Sequence, residues 1–204
     1  MESFVHPAEF HKNMIAQYGA RSIDAVVWPN SGFQFHLISE LVKQVELFDG
    51  CSILDAGGGR MDLYGFVKDK VKVSRYVCVD LCKELLDVGK AEFPDALYYH
   101  GDILDFGGEN CDFVFSSGLL SYALVSENPY EWVWNRLEKM FDLCKVACVL
   151  NFNSYGMAHR TGARLDRWHL PCPKHMLEMA LDLTDRVRLD HSHVHGFETL
   201  TLLR

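Results

Sequence analysis

The chain has 204 residues and a formal net charge of −8, with 49% hydrophobic and 24% charged residues. That length fits one domain with a substantial core, and the composition is that of an ordinary globular chain. The acidic balance argues against nucleic-acid backbones and anionic membranes as partners, and no apolar stretch approaches the roughly 20 residues of a membrane span.

The first residues, MESFVHPAEFHKNMIAQYGAR, lack a basic segment followed by an apolar run, so no secretory signal is expected. The seven cysteines are scattered and none forms C-x-x-C. Most stand inside apolar runs such as VCVDL and VACVL, where a thiol acts as a small core side chain. A reduced, cytoplasmic location is the expectation, and no structural zinc.

In chain order, residues 7–18 and 35–47 carry helical spacing, and residues 1–50 are expected to form a helical cap or lid. The remainder, 51–204, reads as one globular unit. Residues 51–56 (CSILDA) are a strand, 62–69 a short helix, and 74–80 (SRYVCVD) a strand ending in an acid. A helix over 83–93 stops at Pro94. Strands follow at 96–100 and 111–116, a long amphipathic helix at 130–144 and a valine-rich strand at 145–152. A helix over 173–183 has Pro173 in its first turn, where proline is tolerated. Strands 186–191 and 197–203 flank Gly196 as a hairpin. The first five strands are continuously apolar, as in a parallel sheet covered on both faces. The expected fold is α/β: a doubly wound, mostly parallel seven-stranded sheet with a C-terminal antiparallel hairpin and an N-terminal helical cap.

Ligands of such sheets lie in the crevice at the carboxyl ends of the strands. The first such end reads Asp55-Ala56-Gly57-Gly58-Gly59, a tight turn that lets a ligand approach the backbone. A G-x-G-x-x-G dinucleotide fingerprint fails here, since Asp62 stands three residues after Gly59; no P-loop lysine is present either. Asp80 closes the second strand about 20 residues on, placed to accept from two ribose hydroxyls. Asp102 beside the aliphatic Ile103 suits an adenine ring and its exocyclic amine.

Taken in order, ILDAGGGRMD, VCVDL, HGDIL and CDFVFSSGLL resemble the successive motifs of class I S-adenosylmethionine-dependent methyltransferases. The resemblance runs from about residue 51 to 204. SSGLLSY, VLNFNSYG and HGFETLTLLR further resemble a group of small bacterial methyltransferases. It implies that Asp55, Ala56, Gly57, Gly58 and Gly59 line the methionine part of S-adenosylmethionine. Asp80 and Leu81 would hold the ribose and adenine edge, Asp102 and Ile103 the adenine, and Ser117 and Gly118 would pass beneath. The family often carries a further glycine where Met61 stands. Either the Met61 side chain points away from the pocket, the reading favoured by the intact remaining motif, or it narrows the site near the sulfonium.

The expected reaction is in-line methyl transfer to the oxygen or nitrogen of a small-molecule acceptor, releasing S-adenosylhomocysteine. The alternative is a non-catalytic S-adenosylmethionine-binding protein of the same fold. SSGLLSY is not the Asn-Pro-Pro-Tyr type of sequence that suits planar amines. Tyr122, Asn151 and Asn153 follow strands and are candidates to touch ligand or substrate. In DHSHVHG, His191, His193 and His195 alternate, so in an extended strand they share a face. His191 or His193 is a candidate for substrate binding or proton transfer, and a metal is not expected. From the cap, Arg21 is a candidate partner for the cofactor carboxylate, with Tyr18 and Trp28 as pocket walls.

Overall fold

A computed structural model of the chain describes residues 6–125, 128–153, 169–193 and 196–204. Seven strands form one sheet in the order β3-β2-β1-β4-β5-β7-β6. They are β1 (Ser52–Ala56), β2 (Arg75–Asp80), β3 (Leu97–His100), β4 (Cys111–Ser117), β5 (Cys144–Asn153), β6 (Val187–Asp190) and β7 (Phe197–Leu203). β1 to β5 pair in parallel; β7 runs antiparallel between β5 and β6. The helices are α1 (Pro7–Tyr18), α2 (Ser31–Val42), α3 (Asp62–Val67), α4 (Lys83–Glu92), α5 (Pro129–Asp142) and α6 (Pro173–Leu183).

Neighbouring strand residues point to opposite faces, and each face has its own helical cover. On one, Ile53, Tyr76, Cys78, Phe113, Phe115 and Val149 pack against Ile38 and Leu41 of α2, Leu63 and Phe66 of α3, and Leu86 of α4. On the other, Leu54, Val77, Val114, Cys148 and Leu200 meet Val133, Leu137 and Met140 of α5 and Met176 of α6. This is the doubly wound arrangement that continuously apolar strands require.

Residues 6–50 divide between two jobs. α2 lies on the sheet as part of the core. It begins earlier than its apolar spacing suggests, because the Asn30 side chain accepts from the Phe33 N–H at 2.8 Å and caps it. α1 and a 3₁₀ turn at Ile23–Val26 pack on one another above the carboxyl end of β2, through Ile15, Ala25 and Val26 against Cys82 and Leu85.

The last strand pair is shorter than the alternating histidines suggest. The Asp190 carboxylate accepts from the Ser192 N–H at 2.8 Å and its hydroxyl at 2.7 Å, turning the chain out of β6. His191 and His193 therefore stand beyond the strand, and His195 lies outside the described residues. Among the described residues, no helix is long and apolar enough to cross a membrane.

Candidate active site

A cavity of about 480 Å³ opens at the carboxyl ends of β1, β2 and β4. Its volume lies within the range of about 300–1,000 Å³ usual for small-molecule sites. The turn after β1 forms its floor. Gly57 and Gly59 have φ of 73° and 53°, a conformation that favours glycine. Gly58 is glycine for another reason: a Cβ there would stand 2.4 Å from Asp55 Oδ2 and 2.7 Å from Cys78 Sγ. The Asp55 carboxylate is buried beneath the turn and accepts from the Tyr76 hydroxyl. Burial, with Asp80 and Asp62 adding negative charge, raises its pKa from the usual 3.8 to about 7.

Met61 resolves in favour of the first reading. It is fully buried in the cluster with Ile38, Leu63 and Leu86 and does not line the cavity. It takes a left-handed conformation, with φ 63°, and stands as N-cap of α3. The close seat of α4 fixes it there, since a Cβ on Gly89 would lie 2.8 Å from the Met61 Cγ and from the Arg60 carbonyl oxygen.

Asp80 spans two backbone donors. Its Oδ2 accepts from Gly59 N–H at 2.9 Å and its Oδ1 from Cys82 N–H at 2.7 Å. Burial raises its pKa; those two N–H groups, with His11 and His100 nearby, oppose the rise. A carboxylate has about four lone-pair sites, so acceptor capacity remains for hydroxyls in the cavity. Asp102 is more committed than its sequence suggests. Its Oδ1 caps the turn at Leu104 N–H at 3.1 Å, and its Oδ2 is ion-paired with Arg136 of α5. The Arg136 guanidinium lies 3.6 Å from the centroid of the Trp132 ring. Both line the cavity beside Ile103.

The opposite wall is aromatic. Trp28, Phe33 and Phe197 have ring centroids 5.6 to 6.4 Å apart. Val27, left-handed at φ 62°, ends the 3₁₀ turn and leads directly into Trp28. The Trp28 ring covers Gly118, where a Cβ would be 3.6 Å from its edge. Beside it Asn153 donates to Ser121 Oγ at 3.3 Å, and Tyr122 shares a hydrogen bond with His11 of α1 at 2.7 Å.

The structure thus brings Asp55, Gly57, Gly58, Gly59, Asp80, Leu81, Asp102, Ile103, Ser117, Gly118, Tyr122, Asn153 and Trp28 to one cavity. Ala56 lies buried underneath, its carbonyl accepting from Ser116 Oγ at 2.9 Å. Asn151 is buried too, its side-chain oxygen accepting from Gly118 N–H at 3.0 Å and Ser117 Oγ at 3.2 Å. Four expectations need correction. Arg21 does not line the cavity: its side chain is exposed, and its carbonyl accepts from Arg60 Nη1 at 2.6 Å. Tyr18 is 47% exposed at the end of α1, away from the pocket. His191 and His193 turn to Glu198 (3.3 Å) and to Thr199 (2.9 Å) on β7, because the chain has left the strand before reaching them.

Missed by sequence reading were His11, Arg136 and Trp132. Pro7, Ala8 and His11 share one face of α1 at helical spacing, which was readable but ambiguous. Arg136 carried the clearer signal: it interrupts the apolar stripe of Val133, Leu137 and Met140 with a charge. Among the described residues, no group of three or more His, Cys, Asp and Glu side chains is placed to hold a metal ion.

The fold has many solved counterparts. Magnesium protoporphyrin IX methyltransferase from Synechocystis, in a structure with bound S-adenosylhomocysteine, aligns over 87% of this chain and 89% of its own. The TM-score is 0.65 and the identity 13%. A TehB-like S-adenosylmethionine-dependent methyltransferase from Corynebacterium glutamicum covers 96% and 98%, at TM-score 0.60 and 18% identity. One from Clostridium acetobutylicum covers 94% and 98%, at TM-score 0.64 and 11% identity. The chain has the class I methyltransferase fold. No protein-family model matches the sequence, and no curated protein matches it. At 11 to 18% identity these neighbours speak for architecture alone.

Proposed function

We propose that the protein is an S-adenosylmethionine-dependent methyltransferase acting on a small molecule in the cytoplasm. The observation that carries this reading is the convergence on one cavity of the glycine turn, Asp80 and the Asp102–Ile103 pair. The floor fits a cofactor pressed against backbone, because Gly57 and Gly59 hold left-handed conformations and a Cβ on Gly58 would collide with Asp55. Asp80 would take the ribose hydroxyls, with Leu81 along the adenine edge. Asp102, held by Arg136, would take the adenine amine, with Ile103 against the ring. Gly57 to Gly59 and Ser117–Gly118 would border the methionine part.

When bound, the cofactor supplies a methyl group made electrophilic by its sulfonium. What remains for the chain is to orient an acceptor and exclude water. Trp28, Phe33 and Phe197 give the cavity an apolar wall, and α1 with the turn at Ile23–Val26 covers it. The test is calorimetric titration with S-adenosylmethionine and S-adenosylhomocysteine. Saturable binding of both supports the reading, and binding of neither sinks it. Release of S-adenosylhomocysteine with an acceptor present separates an enzyme from a protein that only binds the cofactor.

A further inference from the structure

Among the described residues, every carboxylate that lines the cavity already has donors. Asp55 has the Tyr76 hydroxyl; Asp62 has Arg60 and the Gln34 amide. Asp80 holds two backbone N–H groups, and Asp102 holds Arg136 and the Leu104 N–H. The Cys82 thiol is pushed up to about 11, chiefly by burial, and stays protonated near neutral pH.

The His11–Tyr122 pair is arranged differently. His11 Nδ1 lies 2.8 Å from the Ala25 carbonyl oxygen, which only accepts, so Nδ1 is the donor. In the neutral ring, Nε2 is then an acceptor, and the Tyr122 hydroxyl at 2.7 Å donates to it. Burial, with the Asp80 carboxylate near, keeps the Tyr122 phenol protonated well above its ordinary range. The result is a proton path from the cavity to an imidazole whose second nitrogen is held by a carbonyl.

The same end of the cavity carries the aromatic wall. Trp28 lies over Gly118, and Tyr122 follows within one turn, the Ser121 N–H bonding back to the Gly118 carbonyl at 3.2 Å. Three rings on one side favour a planar, apolar body in the acceptor.

We propose that the acceptor is a planar aromatic compound bearing a hydroxyl, whose proton passes to Tyr122 while Tyr122 passes its own to His11. This rests on the methyl-transfer reading above. As the acceptor oxygen bonds to the methyl carbon, the carbon–sulfur bond breaks and its electron pair stays on sulfur. The hydroxyl proton moves to Tyr122 Oη, and the Tyr122 proton moves to His11 Nε2. Tyr122 touches the acceptor; His11 acts through it as a positioning and proton-holding residue.

The test uses the full chain and 4-nitrophenol, whose ionised form absorbs in the visible. S-Adenosylhomocysteine is titrated first, and failure to bind overturns the methyl-transfer reading and this inference with it. The complex is then titrated with 4-nitrophenol at a pH below the probe's own pKa. The expected result is saturable binding with growth of the phenolate band, and affinity for 4-nitroaniline weaker by about tenfold or more, or 1.4 kcal/mol. Tyr122→Phe and His11→Asn should each abolish the band; the asparagine amide keeps a donor toward the Ala25 carbonyl. If 4-nitrophenol fails to bind, or binds without ionising, the proton path is wrong while cofactor binding stands. A band that survives in His11→Asn refutes the role of His11. A His11→Asn protein that no longer binds S-adenosylhomocysteine shows a purely structural histidine and also overturns the relay.

Discussion

Replacing Gly58 by alanine tests whether the floor of the cavity is set by contact rather than by backbone conformation. Its φ is not positive, so the backbone there does not demand glycine, and alanine's restriction of the unfolded chain would by itself stabilise by about 0.4–1 kcal/mol. Against that, the new Cβ would fall 2.4 Å from Asp55 Oδ2, 2.5 Å from its Cγ and 2.7 Å from Cys78 Sγ. Ordinary contact between such atoms is about 3.5–4.0 Å, so the buried carboxylate must move by about an ångström. Moving it breaks the hydrogen bond from Tyr76, which above about pH 7, where Asp55 is ionised, is a bond to a charged group worth about 1.5–3 kcal/mol. Overpacking adds about 1–3 kcal/mol. The net expectation is a loss of about 2–5 kcal/mol, a large part of the stability of a domain this size. Urea unfolding followed by circular dichroism reads it directly. A double-mutant cycle with Asp55→Ala should recover at least about half of the loss, because the colliding carboxylate is gone. A loss under about 1 kcal/mol, or no coupling to Asp55, refutes the steric argument.

Asp80→Ala should weaken S-adenosylhomocysteine binding by at least about tenfold and also lower stability, since the Gly59 and Cys82 N–H groups lose their acceptor. Unchanged affinity in calorimetry removes the ribose assignment. Arg136→Met strands the Asp102 carboxylate and should cost about 1–3 kcal/mol in urea unfolding. Lysine at 136 should not restore it, because an ammonium cannot lie flat on Trp132. Asp55 holds a proton in the folded chain between the usual 3.8 and about 7, so its contribution favours folding at low pH and is lost as pH rises through about 7. Asp55→Asn should therefore flatten the fall of stability across that window, measured by thermal unfolding at a series of pH values. A slope equal to that of the native chain contradicts the burial argument.

The sheet was readable because β1, β2, β4 and β5 are buried on both faces and their apolar runs have no competing interpretation. The end of β6 was not, since alternation alone does not reveal that Asp190 will bond to Ser192 and turn the chain. The start of α2 was hidden by Ser31 and Gly32, which read as turn residues until Asn30 is seen to cap them. The floor of the site followed from local motifs, each carried on one strand end. Its lid side did not. The His11–Tyr122 bond spans 111 positions, and the Asp102–Arg136 pair joins a strand end to a helix on the far side of a loop. Arg21 was misplaced for the same reason: in the cap, the backbone carbonyl rather than the side chain makes the connection.

That connection decides how the chain comes apart. Arg60, nearly buried, donates to the carbonyls of Arg21 and Ser22 and is ion-paired with Asp62, which also accepts from Gln34 of α2. One guanidinium thus sutures the approach to the 3₁₀ turn, the start of α3 and the first turn of α2. Cutting the chain ahead of α2 would remove two acceptors from a charge that has little water to turn to. The N-terminal segment is accordingly no detachable flap. Amides of residues 22–28 and 57–62 should exchange with solvent as one cooperative unit, and a shortened version built to begin at the sheet would inherit a damaged turn under Gly59.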